Sequence, residues 1–93
     1  MIIFVLNCGS SSIKYQIIDM PNETVRISGG VSRIGHNNAR FTFEASQKKQ
    51  TQQRIDNHEQ GIDLILNSIE AESGSTGIGL KNIDAAGHRP TRV

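Results

Sequence analysis

The sequence predicts an α/β domain: a mixed sheet that begins with antiparallel strands, then one main helix, then a returning strand. Three observations carry this. A continuous apolar run, Ile2-Ile3-Phe4-Val5-Leu6, opens the chain. Segments of alternating polarity follow, separated by turn-forming residues. Farther on, Ile62, Ile65, Leu66 and Ile69 recur at i, i+3, i+4 and i+7, the spacing of one helix face.

The first run is rich in β-branched residues and reads as a strand buried on both faces. Asn7-Cys8-Gly9-Ser10-Ser11-Ser12 is small, polar and turn-forming. Residues 13–19 alternate, with Ile13, Tyr15 and Ile17 on one side, and complete an antiparallel hairpin. Met20-Pro21-Asn22-Glu23 is the next turn, and residues 24–28 alternate around Val25 and Ile27 as a third strand. Gly29-Gly30 reads as a bend or bulge. Residues 40–44 make a fourth strand, and the polar stretch 47–53 reads as loop or exposed edge strand. Asp56 with Glu59 three residues on resembles a capping box, and the helix behind it runs to about Ala71. Gly61 weakens that helix by roughly 1 kcal/mol relative to alanine. Residues 72–79 read as a Ser/Gly-rich loop, and residues 83–87 as the start of another strand that Pro90 stops.

Composition excludes several classes. The 93 residues carry 10 Lys+Arg and 9 Asp+Glu, a net charge of +1, which lacks the cationic excess of a nucleic-acid binder. The longest apolar run, Met1 to Leu6, is far short of the ~20 residues of a spanning helix. No basic residue precedes that run, so it does not read as a secretory signal. One cysteine, Cys8, forms no internal disulfide and makes a reducing compartment the default. With only 4% aromatic residues and no Trp, the core rests on isoleucine.

The chemistry concentrates in Asn7-Cys8-Gly9-Ser10-Ser11-Ser12-Ile13-Lys14. A Gly/Ser turn between two strands suits an oxyanion. Gly9 lets backbone approach closely, turn N–H groups form an anion-binding concavity, and serine hydroxyls donate to phosphate oxygens. Lys14 adds positive charge, and Asn7 offers an amide oxygen toward a hydrated Mg²⁺. The same residues also satisfy a plain serine-rich hairpin turn with a solvated lysine. The segment is not a Walker A loop, because its lysine lies on a strand and opens no helix.

The pattern Asn-x-Gly-Ser-Ser-Ser-x-Lys after an apolar strand resembles the phosphate-binding signature of the acetate and propionate kinases, members of the actin-like ATPase superfamily. Residues 15–20, Tyr-Gln-Ile-Ile-Asp-Met, continue the resemblance. Asp84-Ala85-Ala86-Gly87-His88-Arg89 resembles the start of the family's second signature, Gly-His-Arg-Val-Val-His-Gly-Gly. The resemblance spans residues 1–89. After Arg89 this chain reads Pro-Thr-Arg-Val, so residues 1–93 are expected to be an incomplete N-terminal domain with a divergent tail at 90–93.

What the resemblance implies is specific. The fold is part of an actin-like, ribonuclease H-like domain. The activity is reversible phosphoryl transfer between ATP and acetate, giving ADP and acetyl phosphate. Asn7 contributes to the Mg²⁺ site, Ser10, Ser12 and Lys14 face the ATP phosphates, and Arg89 contacts acetate or acetyl phosphate. A guanidinium fork suits a carboxylate or phosphoryl group. The catalytic residues proper fall outside these 93 positions, so the chain alone is expected to be inactive. The longer parent is expected to be a cytoplasmic homodimer that binds neither nucleic acid nor membrane. Two alternatives stand beside this: a propionate-preferring kinase, and a non-catalytic truncated product.

Other motifs read as structural. Gly74-x-x-Gly77-x-Gly79 reverses the dinucleotide spacing and follows a helix, so it reads as a surface loop. His36, His58 and His88 have no ligand-like spacing, and His58 reads as a first-turn helix residue. Cys8 reads as a small buried thiol.

Overall fold

The computed structural model describes residues 1–45 and 47–90, of which residues 88–90 are described by backbone alone. The apolar opening forms β1 (Ile2–Cys8), which turns through four residues into β2 (Ile13–Asp19). The two pair antiparallel from Ile2↔Asp19 to Cys8↔Ile13. A second turn leads to β3 (Thr24–Ser32), then β4 (Ala39–Glu44) and β5 (Lys48–Gln53), each antiparallel to its predecessor. Helix α1 (His58–Ala71) and a one-turn helix α2 (Ser73–Thr76) follow. A 3-10 turn at Leu80–Asn82 leads into β6 (Ala85–Pro90). β6 pairs parallel with β1, so the six-stranded sheet runs β5-β4-β3-β2-β1-β6. Parallel pairing needs a long crossover, and α1 supplies it.

Burial follows the period-two alternation. Ile13, Tyr15 and Ile17 of β2, Ile27 and Val31 of β3, and Phe41 and Phe43 of β4 share one face with Phe4. Ile65 and Ile69, both fully buried, bring α1 onto that face. The opposite face carries no helix among the described residues. β1 is therefore not buried on both faces as its composition predicts: Phe4 is buried, while Ile3 and Val5 are only half-buried.

Four further expectations are corrected. β3 does not bend at Gly29-Gly30 but runs straight through both, and the irregularity sits between Ile17 and Ile18 of β2. The glycines serve packing instead. A Cβ on Gly29 would lie 2.1 Å from the Thr42 carbonyl oxygen and 2.6 Å from the Tyr15 hydroxyl. That space admits the hydrogen bond from Tyr15 Oη to the Thr42 carbonyl, at 2.8 Å, while the Tyr15 ring stacks on Phe41 at 6.5 Å between centroids. Burial pushes the phenol pKa of Tyr15 upward, so the hydroxyl stays protonated as a donor.

The helix cap is Asn57, not Asp56. The Asn57 side chain accepts from the Gln60 N–H at 2.9 Å. Asp56 is taken up elsewhere: Arg54 donates to it at 2.6 Å, and this hydrogen bond holds its carboxyl below the usual range. Residues 72–79 are not all loop, since Ser73–Thr76 closes a helical turn that Gly77 ends at φ 76°. The last strand begins at Ala85, two residues later than predicted. Gly61 costs helix propensity but faces the sheet, where a Cβ would come 3.0 Å from Ile13 Cδ1. Among the described residues no helix is long and apolar enough to cross a membrane.

Candidate functional site

The serine segment is the four-residue connection between β1 and β2. The Gly9 N–H donates to the Ser12 carbonyl at 2.8 Å and closes the turn. Two outside contacts fix it. The Ile34 N–H donates to the Ser11 carbonyl at 3.0 Å, and His58 Nε2 stands 2.7 Å from the Gly9 carbonyl oxygen. A carbonyl accepts only, so His58 Nε2 carries the hydrogen. His58 is the first residue of α1, as its position predicts, but it also ties that helix end to the turn. The sequence holds no signal for this contact, which joins residues 49 positions apart. Replacing His58 with alanine is expected to cost about 1 kcal/mol and to speed amide exchange at residues 9–12. Unchanged exchange there would mean the turn holds itself.

Register decides which candidate residues meet. Asn7 lies opposite Lys14 of β2 on one side and opposite Arg89 of β6 on the other. The three stand in one row across adjacent strands, at the same sheet end as the serine turn. Strands lie about 4.8 Å apart, so the row spans roughly 10 Å from Lys14 to Arg89. Asn7 is half-buried and Lys14 exposed, and both project from the face opposite α1. Ser10 is exposed at the tip of the turn, and Ser12 is half-buried at its end. The expected contact of Arg89 with substrate concerns a side chain outside the described residues, as does any role of His88 and of the tail at 91–93. Cys8 is a half-buried free thiol packed against the core. Gly77 ends α2 and is exposed, while Gly79 is buried and donates its N–H to Asn82 Oδ1 at 2.8 Å.

Chemically, the arrangement brings serine hydroxyls and an ammonium beside a row whose centre is a carboxamide. Hydroxyls and an ammonium are groups able to donate to an oxyanion. The fit of the row to Mg²⁺ is of one kind only. Among the described residues no group of three or more His, Cys, Asp or Glu side chains could cage a metal. Asn7 offers a single neutral oxygen, which suits an ion that keeps most of its waters and arrives bound to phosphate oxygens.

Comparison with known proteins converges on one family. The family model described as the Acetokinase family matches residues 2–92. The chain is 41% identical over 91 residues to an acetate kinase of Caldanaerobacter subterraneus, covering 96% of this chain and 23% of that protein. It is 42% identical over 91 residues to an acetate kinase of Alkaliphilus metalliredigens, with the same coverage. Among solved structures, Porphyromonas gingivalis acetate kinase superposes with a TM-score of 0.82 at 32% identity, over 95% of this chain and 23% of that one. A propionate kinase from Francisella tularensis superposes with a TM-score of 0.80 at 27% identity, over 98% of this chain and 22% of that one. The chain thus spans about a quarter of the length of the relatives it matches. The mixed sheet with one main helix is part of the actin-like ATPase fold of these kinases. From the Asn-x-Gly-Ser-Ser-Ser-x-Lys pattern at residues 7–14 to the match across nearly all of its length, the chain belongs to the acetokinase family.

Proposed function

We propose that these residues hold the polyphosphate of ATP for an acetate kinase, the turn and Lys14 gripping phosphoryl oxygens. The observation that supports this most is the row Lys14–Asn7–Arg89 beside the serine turn. Phosphoryl transfer depends on positioning and charge neutralisation more than on covalent help from the protein. Each member of the row has a part in that. Ser10, Ser12 and the turn N–H groups donate to phosphate oxygens, and Lys14 neutralises charge. Asn7 holds the hydrated Mg²⁺ that accompanies the nucleotide and screens its phosphates. Arg89, on the strand beyond Asn7, is assigned to the carboxylate substrate by the family resemblance. Acetate is the favoured acceptor because the matched relatives at about 40% identity bear that name. A propionate acceptor is the second reading, favoured by the close superposition of a propionate kinase. We assign the work to the cytoplasm, where Cys8 stays a thiol.

The test is a titration of the chain with ATP, with and without Mg²⁺, followed by backbone amide NMR. Shifts are expected at residues 9–14, with affinity raised by Mg²⁺. Ser12→Ala is expected to weaken binding about tenfold, the worth of one hydrogen bond to a charged group. Shifts confined to other parts of the sheet would overturn the reading.

A further inference from the structure

The face opposite α1 carries a second set of polar groups beside the turn. Register lays it out as a grid. Lys14 of β2 lies opposite Gly30 of β3, and Gly30 lies opposite Thr42 of β4. One step along, Ser32 of β3 lies opposite Arg40 of β4. Ser12 stands just before β2 at that same end. Together these residues line a groove of about 140 Å³, several times the roughly 30 Å³ share of one water.

Gly30 makes the floor of the groove. A Cβ there would lie 2.8 Å from the Ile13 carbonyl oxygen and 3.8 Å from Lys14 Cγ, so a side chain would both strain the sheet and fill the space. Thr42 Oγ1 is turned to the backbone: it accepts from the Gly30 N–H at 2.9 Å and donates to the Gly30 carbonyl at 3.3 Å. It is therefore wall and not ligand. What remains free to reach over the floor is Lys14 on one side and Arg40 on the other, both exposed. Among the described residues neither enters an ion pair, whereas Arg26, Lys49 and Arg54 each have a carboxylate partner. The nearest acid on the same face of β4, Glu44, lies four residues from Arg40 and opposite Lys48.

Two cations without carboxylate partners over a side-chain-free floor, with Ser12 and Ser32 in the lining, suit a dianionic or larger oxyanion. Lys14 and Arg40 stand two strands apart and two residues out of line, about 12 Å between backbones. One small anion cannot sit close to both stems, but two linked phosphoryl groups can bridge the fork and the ammonium. We propose that Arg40 is a second cationic anchor, which takes one phosphoryl group of a di- or triphosphate whose neighbouring phosphoryl group lies at Lys14. The inference rests on the serine-turn reading above and extends it to a residue on β4.

The experiment titrates the chain with pyrophosphate, ADP and inorganic phosphate in turn, read by backbone amide NMR. It compares the parent with Arg40→Gln, Arg40→Lys and Lys14→Ala. Pyrophosphate and ADP are expected to shift Gly30 and Ser32 as well as the turn, and inorganic phosphate to bind more weakly than either. Arg40→Gln is expected to weaken pyrophosphate about tenfold, with Arg40→Lys recovering part of the loss. A response to pyrophosphate but not to ADP would mean that the groove takes the free diphosphate and excludes a nucleotide, which overturns the link to ATP. If Lys14→Ala weakens pyrophosphate while Arg40→Gln leaves it unchanged, the second anchor falls and the turn reading survives. If Arg40→Gln weakens it while Lys14→Ala does not, no phosphoryl group lies at Lys14, and the bridge between the two cations falls together with the turn reading. No binding by the parent chain overturns both.

Discussion

Gly29→Val is expected to remove about half of the stability of the fold. The new Cβ would start 2.1 Å from the Thr42 carbonyl oxygen, which is backbone of the adjacent strand and cannot swing away. Relief requires β3 and β4 to separate or the Tyr15 ring to leave. Overpacking of this kind costs about 1–3 kcal/mol. Losing the hydrogen bond from Tyr15 to Thr42 adds about 1–3 kcal/mol, because the buried hydroxyl is then left without a partner. A domain of this size has on the order of 5–10 kcal/mol to lose. Gly74→Ala is the control, since a Cβ there meets nothing within 4 Å. Urea unfolding followed by circular dichroism separates the two. A midpoint for Gly29→Val equal to that of the control would show that the sheet flexes more freely at Gly29 than its contacts allow.

Lys14→Glu is expected to lower affinity for ATP by more than about 100-fold while leaving stability within about 0.5 kcal/mol. The side chain is exposed on the face away from the core, so folding hardly depends on its charge. Binding does, because the change removes an attractive cation and puts a carboxylate beside the phosphates. Each step of about 1.4 kcal/mol is tenfold, and two such steps are modest for reversing a charge at contact distance. The loss should shrink as salt rises, because the pair is open to solvent. Equal ATP affinity for the two chains would mean that the turn is a plain hairpin and that Lys14 is a solvated lysine.

The helix stripe was legible in the sequence because Ile65 and Ile69 bury at the spacing a helix dictates. The serine turn was legible because Gly9 and three serines leave few other uses for the segment. β5 was only half legible. Its residues, Lys48-Lys49-Gln50-Thr51-Gln52-Gln53, are all exposed and lack any apolar alternation, so backbone pairing with β4 alone makes it a strand. Asp56 and Asn57 are equally good caps by type. What separates them is that Arg54 takes up the Asp56 carboxylate.

The sequence by itself determined the hairpin, the main helix and the family, because local polarity patterns and a contiguous signature need no knowledge of distant neighbours. Only the tertiary structure decided which residues share a row. Asn7 and Arg89 are 82 positions apart and meet through the parallel pairing of β6 with β1. Lys14 and Arg40 face one groove because two antiparallel registers place Gly30 between them. Register is a property of whole strands, fixed by the turns and the buried face together, and no short stretch of residues contains it.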